Sequence, residues 1–307
     1  MNRASDVSCT KINTSESDVT TKEIEEEKKT THKIPKDEGL IIYKKNGCSM
    51  VKLAAVQFES SSDYRENVER AAEHVKEAAK NGAKLVCLPE YFYSSLSLSE
   101  IVAKSAEINS FVKNQMDDLA KTLDIVIAYN VPKCAAGKIE NTTVVTSRKG
   151  EIGGYPKTCL FPNKPFNESE YFQRGNTSPV FDLGFANVGF AICYDLRFPE
   201  IFRKLALKGA EVIFVPAAFP KDKVHQVRTL LAARAIENQL FVVGVNKTGK
   251  DKKSEYAANT MFVSPKGFVL SEARGRAEEV VYANINLQEI KRLRNKVSYL
   301  ESAKIFY

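Results

Sequence analysis

The chain has 307 residues, with 45 Lys and Arg against 38 Asp and Glu for a formal charge of +7, and is 43% hydrophobic. That is too apolar for a chain disordered throughout. No stretch approaches the roughly 18 uninterrupted apolar residues that a membrane span requires, and no charged, apolar and small-residue leader opens the chain; a cytoplasmic protein is expected. Residues 1–50 hold nine basic and nine acidic side chains, so the whole excess belongs to 51–307, where no Lys/Arg run exceeds two residues. Nucleic-acid binding, which calls for a clustered basic stripe with stacking aromatics, is not expected. Six cysteines stand at 9, 48, 87, 134, 159 and 193 without a CxxC pair or a neighbouring histidine, which argues against a zinc site or a disulfide framework and fits a reducing compartment.

Residues 1–50 read as a polar extension, rich in Ser, Thr, Lys and Glu, with too little apolar surface to offset the entropy of ordering. A short strand at Leu40-Ile41-Ile42-Tyr43 could dock on the domain that follows. From Val51 the pattern becomes α/β. The apolar run 51–58 suits a buried strand. Val68, Ala71, Ala72, Val75, Ala78 and Ala79 recur at helical spacing over 66–83, which Asn81-Gly82 terminates. A strand at 85–90, a helical stretch over roughly 97–122, a strand at 125–132 and a hairpin turning at Lys149-Gly150 follow.

The second half repeats this grammar. Strands are expected at 187–195, 211–219 and 241–246, with helices after the first and at 224–239. A hairpin turns at Pro265-Lys266-Gly267, a last strand follows, and a basic amphipathic helix closes the chain with Ile290, Leu293 and Val297 on one face. Mixed sheets covered by helices, in one domain over 51–307, are the expected architecture.

Three segments carry residues suited to chemistry. Cys193 ends an apolar strand and precedes Tyr-Asp-Leu-Arg-Phe-Pro-Glu, which opens a helix. Amides at a helix N-terminus would lower its thiol pKa and could hold an oxyanion, although a cysteine there is also a common small core residue. A cysteine nucleophile needs a base. Of only three histidines, His32 is in the extension, His74 on a helix surface and His225 on or beside a helix. A carboxylate can replace histidine if partial burial raises its pKa, and Glu90 ends the strand LVCLPE. Lys157 follows a Gly-Gly-Tyr-Pro turn, where a fixed ammonium could stabilise a developing oxyanion; otherwise it is a solvated loop lysine.

Leu88-Pro89-Glu90, the Tyr155/Lys157/Leu160/Phe161 segment and GFAICYDLRFPE at 189–200 together resemble the three signature blocks of the nitrilase superfamily of carbon–nitrogen hydrolases, in order and over about residues 51–300. The resemblance implies a four-layer α-β-β-α sandwich, a Glu–Lys–Cys triad at Glu90, Lys157 and Cys193, and a second glutamate near the lysine. Glu168 and Glu170 are available, and the distance to Gly175 favours Glu168. It further implies a homodimer or larger homo-oligomer, no metal or organic cofactor, and an oxyanion held by Lys157 with the backbone N–H of Tyr194.

Arg234-Ala-Ile-Glu-Asn-Gln and the Val-Gly-Val-Asn segment are similar to the branch of ω-amidases and deaminated-glutathione amidases, which implies a small, acidic linear amide as substrate. Hydrolysis of N-carbamoyl amines or nitriles by the same triad is the alternative, and a non-catalytic binding or scaffold protein the rival of another class. Val227 stands where that branch often has Trp, and Cys159 where it has His. A substrate carboxylate needs a cation, for which Arg197 and Arg228 are candidates; Arg197 could instead tie down Asp195 or Glu200. Arg234 and Glu237 can simply pair across a helix turn. The aromatic run Tyr91-Phe92-Tyr93 could wall the pocket or belong to the core.

Overall fold

The computed structural model describes residues 50–164, 166–251 and 254–307. The expected polar extension, with its docking strand, lies outside the described residues up to position 49. The first half runs β1 (Met50–Gln57), α1 (Tyr64–Lys80), β2 (Leu85–Cys87), α2 (Leu98–Ala103), α3 (Ser105–Leu123), β3 (Val126–Ala135), β4 (Lys138–Ser147) and β5 (Gly150–Pro156). The second continues with β6 (Val180–Asp182), β7 (Asn187–Phe190), α4 (Pro199–Leu207), β8 (Val212–Ala217), α5 (Val224–Asn238), β9 (Phe241–Asn246), β10 (Met261–Val263), β11 (Val269–Glu272) and β12 (Glu279–Asn286). Helices α6 (Gln288–Lys296) and α7 (Tyr299–Ala303) follow.

Two six-stranded mixed sheets result, ordered β12-β1-β2-β3-β4-β5 and β11-β10-β9-β8-β7-β6. Each has a parallel trio at its centre, β1-β2-β3 in one and β7-β8-β9 in the other, flanked by antiparallel strands. Parallel strands are buried on both faces, and β1 shows how the sequence meets that demand. Ala54 and Val56 pack with Val68 and Val75 of α1 and Ile108 and Val112 of α3. Leu53 and Ala55, on the opposite face, join Phe190, Phe214 and Val243 of the second sheet. The outer face of that sheet packs Ile213 and Val215 on Leu205 of α4 and Leu231 of α5. The order of layers is therefore helix, sheet, sheet, helix, as expected, and each fully buried aliphatic or aromatic side chain contributes about 1.5–3 kcal/mol. No helix among the described residues is long and apolar enough to cross a membrane.

Three boundaries differ from expectation. The stretch expected as a helix over 97–122 is two helices. A capping box between Ser97 and Glu100 starts α2, and Lys104 ends it. The strand expected over 187–195 stops at Phe190, because the Asp195 carboxylate takes the Ile192 N–H at 2.8 Å and turns the chain. The terminal helix stops at Lys296, and Val297 is extended and exposed rather than sharing a helical face with Ile290 and Leu293. There the Gln239 side chain donates to the Val297 carbonyl (2.8 Å) and accepts from the Tyr299 N–H (2.9 Å), which draws the backbone out of the helix.

Candidate active site

The site is assembled at the carboxyl ends of the parallel strands, the usual ligand position in open α/β sheets. Glu90 follows β2, after the ladder is extended by the Leu88 N–H to the Ala128 carbonyl at 2.9 Å. Lys157 is the next residue after β5. Its N–H donates to the Asn141 carbonyl at 2.8 Å and its own carbonyl accepts from Gly175 at 2.8 Å, so the segment is fixed from both sides. Glu168 is buried at the start of a short 3-10 turn, Glu168–Glu170. Cys193 lies just beyond β7, at φ +47°, and opens a second 3-10 turn, Cys193–Arg197. Left-handed backbone at a non-glycine residue is a cost that persists where surrounding structure enforces it. Tyr91, at φ +51°, shows the same feature directly after Glu90.

Glu90, Lys157 and Glu168 are 1%, 2% and 3% exposed, which makes their mutual geometry decisive. The Lys157 ammonium is 2.8 Å from Glu90 Oε1 and 2.7 Å from Glu168 Oε2. Asn141 Nδ2 donates to Glu90 Oε1 and to the Tyr91 hydroxyl, both at 2.9 Å. The Tyr91 hydroxyl donates to Glu168 Oε1 at 2.7 Å, and the Phe161 N–H to Glu168 Oε2 at 2.8 Å. Asn130 fixes the orientation of Asn141, donating to its Oδ1 at 2.6 Å while accepting from the Tyr91 N–H at 3.0 Å.

Burial pushes the Glu90 carboxyl up, assisted by Glu168 and opposed by Lys157. Burial opposes charge on Lys157 too, yet Glu168, Glu90 and Cys193 hold its ammonium well above the ordinary value. Burial and the charge of Glu90 raise the Cys193 thiol well above its usual range, against Lys157 and a backbone hydrogen bond from Ala218. This corrects the expectation of a thiol activated by a helix N-terminus. The α-helix begins only at Pro199, and two carboxylates face the sulfur. Burial thus disfavours the thiolate, and Glu90 is the carboxylate that acts most strongly on the sulfur.

A cavity of about 170 Å³ opens onto the three side chains. Leu96, Leu98, Ile101, Phe161 and Phe219 supply apolar walls, and Tyr91, Tyr194, Arg197 and Lys247 polar ones. A cavity of roughly 150 Å³ takes a benzene-sized molecule, so a small linear substrate fits. Arg197 lies at the cavity, but donates to Gln226 (3.0 Å) and sits 5.9 Å from the Tyr194 ring centroid, rather than pairing with Asp195 or Glu200. Arg228 is not in the cavity lining, and its guanidinium pairs with Glu272 at the surface. His225 is exposed, and Glu170 is exposed and bonded to Asn167. Phe92 and Tyr93 are core residues, whereas Tyr91 walls the cavity. Val227 is buried in the outer core, and the Cys159 N–H donates to Asp195 Oδ1 at 2.7 Å. Arg234 does pair with Glu237 (3.1 Å), but its other nitrogens hold the Leu196 carbonyl at 3.0 and 3.1 Å, clamping the Cys193 turn to α5.

Residues missed from sequence include Asn130 and Asn141. Their signal was polarity in the middle of apolar strands, where a buried amide must find partners. Asp195 was weighed only as a partner for Arg197. It accepts from Tyr155, Cys159 and Ile192 and so sets the turn that carries Cys193. Lys247 ends an apolar strand just as Glu90 does, and the same argument would have singled it out.

Residues 52–295 match the carbon-nitrogen hydrolase family. The chain is 33% identical over 256 residues to human omega-amidase NIT2, covering 80% of this chain and 92% of that one. It is 31% identical to the 2-oxoglutaramate amidase of Bacillus subtilis, covering 82% and 97% respectively. The crystal structure of Nit3 of Saccharomyces cerevisiae, a nitrilase-superfamily member, superposes with a TM-score of 0.72 at 29% identity, over 81% of this chain and 94% of that one. With its two stacked mixed sheets and these matches, the chain belongs to the carbon–nitrogen hydrolase family of the nitrilase superfamily. It is an enzyme of that family, as the three sequence blocks implied.

Proposed function

We propose that the protein hydrolyses the terminal amide of a small, acidic linear compound through a thioester on Cys193, in the manner of an ω-amidase. The observation that carries this reading is the Lys157 ammonium held between two buried carboxylates in a small cavity that Cys193 also lines. Cys193 Sγ attacks the amide carbon as its proton passes to Glu90. The Lys157 ammonium and the Tyr194 N–H stabilise the oxyanion in a water-poor site, where a fixed donor is worth about 10²–10³ in rate. Collapse breaks the C–N bond, Glu90 returns the proton to nitrogen, and ammonia leaves. A water then loses its proton to Glu90 as it attacks the thioester, and departure of the acid regenerates the thiol. Glu168 and Asn141 keep Lys157 and Glu90 in register throughout.

The acidic character of the substrate is supported by the likeness to ω-amidase and 2-oxoglutaramate amidase sequences and by cationic side chains at the cavity. The four described cysteines are all free, which suits a reducing cytoplasm. Exposed Ile305, Phe306 and Tyr307 at the end of the chain suit burial against a second copy in a homodimer. The test is ammonia release from a panel of acidic amides, neutral amides, N-carbamoyl amines and nitriles. Turnover led by 2-oxoglutaramate and abolished in Cys193→Ala is expected. Preference for a carbamoyl amine or a nitrile would replace the substrate assignment while keeping the triad.

A further inference from the structure

A second buried lysine is not used by the chemistry above. Lys247 follows β9 and is 1% exposed, yet it lines the cavity. Its ammonium donates to the Ser94 carbonyl at 3.1 Å and, at a long 3.4 Å, to that of Tyr91, and it lies 4.8 Å from the centroid of the Tyr256 ring. Unlike Lys157, it forms no ion pair among the described residues. A buried cation whose direct contacts are all neutral carries a desolvation cost that more distant acids only partly offset, and an arriving anion would relieve it.

We propose that Lys247 receives the remote carboxylate of the substrate and thereby sets the preference for acidic over neutral amides. The inference rests on the amidase reading above. Position supports it: the Lys247 N–H donates to the Ala217 carbonyl at 3.1 Å, and the next residue, Ala218, lines the cavity with Lys247 and Cys193 and acts through its backbone on the Cys193 sulfur. The cations around the cavity differ in their commitments. Lys157 is held between Glu90 and Glu168. Lys223 pairs with Asp222 at 2.6 Å, and Arg197 is half-exposed, so solvent screens it. The acids that act on Lys247 are Asp251 from the loop after β9, Glu90 from the turn after β2 and Glu59 after β1. Burial outweighs them and brings the amine down to about 8. Asp251 is itself occupied by the Ser254 N–H (2.8 Å) and the Tyr256 hydroxyl (2.6 Å).

The test compares kcat/KM for 2-oxoglutaramate with that for 4-oxopentanamide, in which a methyl replaces the carboxylate. Lys247→Met is expected to lower the first about 100-fold, mainly through KM, and the second less than about fivefold, the size of loss that follows truncation of one member of a buried charge pair. Lys247→Arg should restore part of the preference, and Arg197→Gln should change it far less. In the unmodified enzyme the preference should decline above about pH 8, as the amine loses its proton. Alkylation of Cys193 by iodoacetamide reports an intact site, and Lys247→Gln, which keeps a donor to Ser94, is held to the same ratio. A wild-type preference for the acidic amide that survives in both Lys247→Met and Lys247→Gln would overturn the role of Lys247 and leave the amidase reading standing. Efficient turnover of 4-oxopentanamide with no wild-type preference for 2-oxoglutaramate would overturn the role of Lys247 and the acidic-substrate assignment together, and absence of turnover of any amide would overturn the amidase reading itself.

Discussion

Asp195 shows how one buried carboxylate can position a nucleophile without touching substrate. It accepts hydrogen bonds from the Tyr155 hydroxyl (2.8 Å), the Cys159 N–H (2.7 Å) and the Ile192 N–H (2.8 Å), joining β5 of one sheet to the turn after β7 of the other. Burial outweighs these donors and pushes its carboxyl up to about 6. An unfolded aspartate titrates near 3.9, so between about pH 4 and pH 6 the native state holds a proton that the unfolded chain has released. Stability contributed by this group therefore falls as pH rises through that window, by up to about 1.4 kcal/mol per pH unit. Urea unfolding of the wild type and Asp195→Asn from pH 4 to 6.5 should show the difference between them shifting against the wild type as pH rises. A difference that stays flat, or shifts in its favour, would contradict the assignment.

At the scale of elements, the Lys157 segment depends on close backbone approach. A Cβ on Gly175 would stand 2.7 Å from Pro156 Cγ and nearer still to its carbonyl oxygen. The Gly175 N–H also holds the Lys157 carbonyl. Gly175→Ala must therefore displace the strand end that presents the ammonium. Overpacking of this kind costs about 1–3 kcal/mol, and a shift of about 1 Å at a catalytic group can cost about 10²-fold. Thermal unfolding and kcat together test this. Lowered stability with an unchanged kcat would mean that the segment adjusts without moving Lys157.

What the sequence hid at this scale has identifiable causes. Ile101 and Ile108 lie seven apart, and Val112 and Met116 continue the stripe, so the apolar period runs unbroken across the break at Lys104. The end of α6 is decided by the side chain of Gln239, nearly sixty residues away in the chain. Neither event leaves a local mark. The strand cores were legible because they are apolar runs bounded by helices and turns. Glu90 and Cys193 stand just beyond such runs, whereas Lys157, after a Gly-Gly-Tyr-Pro segment, stood out only through the family resemblance.

Across the whole molecule, two similar halves each lay down a parallel trio of strands, and the proposed site sits where their carboxyl ends meet. The first sheet supplies Glu90, Lys157 and the bracing pair Asn130 and Asn141; the second supplies Cys193 and Lys247. The side-chain network linking these groups was invisible in the chain order, since Glu90 and Lys157 meet across 67 positions and Asn141 and Glu90 across 51. The upward push on the thiol was also hidden, because it arises from burial and from carboxylates brought in by folding rather than from the residues beside Cys193. The central claim is that Cys193 carries the acyl group during turnover. Acid-quenched enzyme, caught in the first turnovers of 2-oxoglutaramate and weighed intact and as peptides, tests it most directly. A mass increase equal to substrate less ammonia, confined to the peptide containing Cys193 and absent from Cys193→Ala, is the result predicted. Turnover at full rate in Cys193→Ala, or an adduct on any other residue, would contradict the account.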